Sequence, residues 1–182
     1  MPTLLDQLAD GPVWAAGRSA RVAAQVLAQP EQIDELFDGL ADEQEGIRNR
    51  AARALEEISA ARPELLLPYK RELLTRATRI EHWIVRSHLC HILPRLGNLT
   101  TAERRRAIAL LRGWMASRSI VTKVDALEGL VRLSLAPGFA AERAAATALL
   151  EDRATHGDTP ALRARARILH KHLAKLARGI AE

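Results

Sequence analysis

Two stretches of the chain, 38 residues apart, carry one apolar pattern, and that repeat limits the possible folds more than any other feature. Ile47–Ile58 reads IRNRAARALEEI and Val85–Leu96 reads VRSHLCHILPRL. Ile47 matches Val85, Ala51 matches Leu89, Ala54 and Leu55 match Ile92 and Leu93, and Ile58 matches Leu96. Apolar residues at i, i+4, i+7, i+8 and i+11 fall on one face of an α-helix. Self-similarity at a period of this size belongs to folds that stack one small helical unit upon another, because a single unit cannot bury its own apolar face.

Two further segments fit the frame. Ile120–Val131 carries Val124, Leu127 and Val131, and Leu162–Leu173 carries Ala166, Leu169 and Leu173. An amphipathic segment precedes each of these second helices. Ile33, Leu36, Phe37 and Leu40 mark the first, and Tyr69, Leu73 and Ala77 the second. Ile108, Leu111 and Met115 mark the third, and Ala145, Leu149 and Leu150 the fourth. Four helix pairs result, at 30–61, 62–97, 100–136 and 138–178, with residues 1–29 as an N-terminal cap built on a helix over Val13–Leu27. Pro30, Pro63 and Pro160 sit where a helix opens, since a first-turn N–H has no partner to lose. Asp42–Gly46, Gly97–Thr101, Pro137–Gly138 and His156–Thr159 read as turns, and Thr100 or Thr101 before Glu103 reads as a helix cap. Aromatic residues are only 3% of the chain, while Ala, Leu, Arg and Glu abound, a balance that favours helix over sheet. The reading is all-α, a superhelix of helix pairs in a single domain, with no linker long enough to divide it.

The run Leu40-Ala-Asp42, Gly46-Ile47-Arg48, Ala51-Ala52 and Ala54-Leu55 resembles the HEAT repeat. That family's unit is an antiparallel helix pair with an Asp in the turn and a Val/Ile-Arg opening the second helix. The resemblance implies an α-solenoid whose second helices line a concave face. It further implies that Arg48, Arg86 and Arg163 reach the turn Asp of a neighbouring repeat, with Asp42 and Asp158 as acceptors. Pair two keeps Val85-Arg86 but has Ile80 at the Asp position; pair three has Ile120-Val121 without the Arg; pair four has Leu162-Arg163 with Asp158 nearby. The resemblance covers residues 30–178 and says much about fold and little about function.

The function classes that the sequence disfavours are clearer than the one it selects. There is no Gly-rich phosphate loop, no Ser-His-Asp order and no paired acidic motif, so we expect a non-enzymatic module without a cofactor or metal. One cysteine, Cys90, permits no intrachain disulfide and suits a reducing compartment. Met1–Asp10 lacks the pattern of a signal peptide, and no apolar run approaches the roughly 20 residues of a membrane span. The expected setting is cytoplasmic and soluble, away from membranes. A net charge of +5 and a pI near 10.1 point to an acidic protein partner, or to nucleic acid.

A helical wheel with Ile47 at zero puts Asn49, Arg50, Arg53, Glu56 and Glu57 opposite the apolar face. Arg50, His88, Lys123 and Arg165 then share one wheel position across the four pairs. Such a column, with Arg53, His91 and Arg95 beside it, is the candidate binding surface for acidic side chains or phosphates. His82, His88, Cys90 and His91 do not converge as a zinc site demands, and His170 and His172 diverge. Trp14, Trp83 and Trp114 are expected to pack in the core; helical-repeat DNA glycosylases share this general architecture, but their active-site pattern cannot be matched residue by residue. Arg104–Arg106 span most of a turn and read as solvated surface. The segment from Arg163 to Arg178 carries six basic residues and no acid, and it is expected to dock as the last helix.

Overall fold

The computed structural model describes residues 3–177. Among these the chain forms ten α-helices and no strand. They are α1 (Leu4–Leu8), α2 (Ser19–Ala28), α3 (Ile33–Gly39), α4 (Glu45–Ala61), α5 (Lys70–Thr75), α6 (Trp83–Arg95), α7 (Thr101–Trp114), α8 (Ile120–Ser134), α9 (Ala140–His156) and α10 (Pro160–Ala177). Short 3-10 turns occupy Pro30–Gln32, Pro63–Leu66 and Ala77–Arg79. The fold comprises two compact units, Met1–Thr100 and Thr101–Glu182, and the division falls in the gap between the second and third helix pairs.

In the first unit α4 is the hub and packs against α1, α2, α3 and α6. The repeated stripe is what it buries: Ile47, Ala51, Leu55 and Ile58 from α4 and Val85, Leu89, Ile92 and Leu93 from α6 are all interior. Ile33, Leu36 and Phe37 close the core from α3, and Phe37 stacks on Tyr69 with ring centroids 4.1 Å apart. The N-terminal helix differs from the expected Val13–Leu27. It begins only at Ser19, because Gly17 turns the chain at a φ of +52°, a conformation that no helix tolerates. The five-residue α1, which periodicity did not reveal, sits ahead of it behind a Thr3–Asp6 capping box.

In the second unit α8 packs against α7, α9 and α10, and α9 against α10. Leu127, Val131, Leu150, Leu162, Ala166, Leu169 and Leu173 form its core. The fourth first-helix stripe holds only in part: Leu150 is buried and Leu149 half-buried, while Ala145 is exposed. Pro160 opens α10 as expected, whereas Pro30 and Pro63 open 3-10 turns. Arg178 lies outside the described residues, as do the other residues past Ala177.

The arginine opening each second helix has a definite task. Arg48 donates to the carbonyls of Asp42 (2.6 Å) and Glu43 (2.9 Å), Arg86 to that of Ile80 (3.1 Å), and Arg163 to that of Gly157 (2.6 Å). In all three the acceptor lies six residues upstream, in the turn that the helix has just left. The clasp is therefore local, to backbone, and does not reach an Asp side chain of a neighbouring repeat. Because a carbonyl is what it needs, Ile80 serves at the Asp position without loss. Asp42 instead accepts the Gln44 N–H at 2.7 Å and tightens its own turn. In the third pair, which lacks the arginine, two serines close the turn: Ser117 accepts from Ser119 N–H, and Ser119 caps α8 through Thr122 N–H.

Of the tryptophans, only Trp114 is buried; Trp83 is 44% exposed and Trp14 82%. The expectation of core packing fails at Trp14 because the segment that carries it is loop.

Candidate functional site

The four wheel-equivalent basic side chains are half-buried or buried, and every one is held by a specific partner. Arg50 departs furthest from the sequence reading: its residue is only 2% exposed. It donates to the carbonyls of Leu8 (2.5 Å), Pro12 (2.9 Å) and Ala9 (3.2 Å), while Asn49 donates to that of Val13 (3.2 Å). Together they pin the loop between α1 and α2 onto α4. Gly17 and Gly46 leave the necessary room, since a Cβ at either would fall within 2.7 Å of the Arg50 side chain. The wheel misplaced Asn49 and Arg50 because α1, α2 and the loop cover the flank of α4 that a lone helix would expose.

His88 meets the carboxylate of Glu56 at 2.5 Å, so α6 is tied to α4. Arg95 donates to the Glu56 carbonyl (3.2 Å) and to Ser59 Oγ (3.1 Å), and its guanidinium lies 3.6 Å from the Glu56 carboxylate. His91, half-buried one turn beyond His88, adds its field to the same carboxylate. Burial alone would raise the Glu56 pKa. The His88 hydrogen bond and the fields of His91, His88 and Arg95 outweigh it, and Glu56 titrates below the usual carboxylate range. Arg53 is exposed and pairs along α4 with Glu57 at 3.3 Å.

In the second unit Lys123 pairs with Asp158, and Arg165 with Glu128. The side-chain hydrogen bond from Lys123 leads the causes that hold Asp158 below its ordinary pKa. Within each unit, then, Arg50, His88, Lys123 and Arg165 tie packed elements together, while Arg53 stays on the exposed surface of α4.

Between α8 and α10 runs an open groove of about 420 Å³. Val131, Leu135 and Leu169 give it an apolar floor. Ile168, 57% exposed, stands at its edge. Arg132, Lys171 and Lys175 bring positive charge to its sides. Its one carboxylate among the described residues, Glu128, is bound by both Arg132 (2.8 Å) and Arg165. The residues come at helical spacing from both walls: 128, 131 and 132 on α8 with its C-cap residue 135, and 168, 171, 172 and 175 on α10. No acidic residue occurs anywhere in α10. Arg132, Ile168, Lys171 and Lys175 were not singled out from sequence, although the acid-free basic run over α10 was the signal that contained three of them.

Among the described residues no three His, Cys, Asp or Glu side chains converge as a metal site would require, and no helix is long and apolar enough to cross a membrane. No protein-family profile matches the chain, and neither curated proteins nor solved structures give a significant match.

Proposed function

We propose that the chain is a non-enzymatic interaction module of HEAT-like helix pairs that binds an acidic protein segment along the faces of its second helices. The α8–α10 groove carries this reading. It combines an apolar floor, an uncovered isoleucine and a cationic border whose single carboxylate is already neutralised. That composition matches an anchor-and-rim interface, where apolar contacts give affinity and the charged border selects the partner. The repeat reading draws support from the arginine clasp, which recurs with the same six-residue reach in three turns.

Nucleic acid is the second reading, favoured by the acid-free α10 and the pI of about 10.1. The two differ in salt dependence. Binding to duplex DNA releases condensed counterions, with a log–log slope of about −0.9 for each phosphate neutralised. Titration of the whole protein with a labelled Glu/Leu amphipathic peptide and with duplex DNA, across a salt series, separates them. We expect the peptide to bind with a shallow slope, and Ile168→Ala and the Lys171→Glu/Lys175→Glu pair each to weaken it about tenfold. Steep DNA binding that persists near physiological salt, with no peptide binding, would transfer the assignment to nucleic acid.

A further inference from the structure

The second unit holds another cleft, of about 280 Å³, between α7, α8 and α9. It shares no lining residue with the groove. Each wall is a ridge of residues spaced by whole turns: Ile108 and Arg112 on α7, Leu130 and Ser134 on α8, and Ala141, Ala145 and Leu149 on α9. The hollow persists because α9 offers methyl groups at Ala141 and Ala145, where filling the space between helices takes a longer side chain.

The floor is apolar. Ile108 is 9% exposed, Leu130 3% and Ser134 1%. The Ser134 hydroxyl donates inward to the Val131 carbonyl at 2.7 Å, so its proton does not face the cleft. The mouth is electrically uneven. Glu142 is the one carboxylate on the walls, and Arg105 binds it at 2.9 Å. That hydrogen bond leads the causes that hold the Glu142 carboxyl below its usual range, so the pair is ionised and neutral as a unit. Arg105 also rests over the Phe139 ring, 5.8 Å from its centroid. Arg112, exposed at the end of the α7 ridge, has no carboxylate partner among the described residues. An apolar pit with one uncompensated guanidinium at its lip accepts an apolar chain that ends in an anion and disfavours a cation of the same shape. Its volume, just under the roughly 300–1,000 Å³ of drug-sized sites, admits only a small ligand.

We propose that this cleft binds a small amphiphilic monocarboxylate, with the alkyl chain against Leu130, Leu149 and Ala145 and the carboxylate on Arg112. A planar guanidinium offers such a carboxylate two parallel N–H donors. The partner-binding role assigned to the α8–α10 groove is independent of this site, and either can fail alone.

Sodium octanoate below its micellar concentration is the probe, followed through the methyl resonances of Ala141, Ala145, Leu130 and Leu149 in the whole labelled protein. Octanol, octyltrimethylammonium and a short peptide ending in leucine form the other arms. We expect saturable shifts at these methyls with octanoate and none with the ammonium. Arg112→Gln should weaken octanoate at least about fivefold and leave octanol unchanged. Ala145→Leu, which fills the hollow, should weaken both about tenfold while the melting temperature holds. Should Ala145→Leu fold poorly, Ala141→Val tests the same wall. Equal binding of octanoate and octyltrimethylammonium, shifts unaffected by either wall variant, or saturable binding by the leucine-ended peptide alone would each overturn the proposal.

Discussion

Replacing Gly46 by Ala should destabilise this protein, although the same change near a helix start ordinarily helps. Ala is favoured over Gly in a helix by roughly 0.5–1 kcal/mol. At Gly46 the new Cβ would stand 2.5 Å from Arg50 Nη2 and 3.2 Å from Cζ. A free arginine tip would swing aside at little cost. This one is pinned by its carbonyl bonds to Leu8, Ala9 and Pro12 and is only 2% exposed. Moving it strains or breaks bonds from a charged donor that contribute about 1.5–3 kcal/mol each. Part of that is regained, because the Ala9 and Pro12 carbonyls lie near the surface, where water can replace the guanidinium. We therefore expect Gly46→Ala to cost about 1–3 kcal/mol and Arg50→Ala about 2–4 kcal/mol. In the Arg50→Ala background the clash is gone, so Gly46→Ala should become neutral or stabilising by roughly 0.5 kcal/mol. Urea unfolding followed by circular dichroism gives all four corners of the cycle. Additivity within about 0.5 kcal/mol, or an Arg50→Ala cost below about 1 kcal/mol, would refute the pinned-arginine argument.

Arg86→Ala should cost about 1 kcal/mol, because it removes one charge-assisted bond from a half-buried turn, and the Ile80→Asp background should not change that cost; a larger cost in that background, read by thermal unfolding, would restore a carboxylate as the acceptor. Glu56 has a depressed pKa in the folded state, so its contribution is present above the ordinary value of 4.5 and disappears as the pH falls through the folded value. Glu56→Gln should therefore flatten the acid side of the stability–pH curve and lower stability near neutrality; an unchanged acid limb would contradict the His88–Glu56–Arg95 arrangement.

Much of the fold was written in one-dimensional pattern. The stripe Ile47, Ala51, Leu55, Ile58 and its copy Val85, Leu89, Ile92, Leu93 specify which side of each helix is buried, since a 3.6-residue period admits one solution. The turns at Pro137–Gly138 and before Pro160 were legible for a related reason: Gly138 stands at a φ of +82°, which glycine adopts readily, and proline fits only a first turn. The site was far less legible. A wheel sorts residues around one helix axis and knows nothing of what lies beside it. Thus Arg50, drawn on the outer arc, became an interior anchor once the α1–α2 loop folded over it, and His88, Lys123 and Arg165 found carboxylates 32 to 37 positions away. The sequence by itself determined the all-helical class, the buried stripes of α4 and α6 and the excess of positive charge, because those depend on local periodicity and composition, whereas the short α1 and the late start of α2 did not show in the pattern. Which cations became ties between packed elements and which came to line the α8–α10 groove or the α7–α9 cleft was decided by tertiary structure alone, because packing sets which partner comes within hydrogen-bond reach.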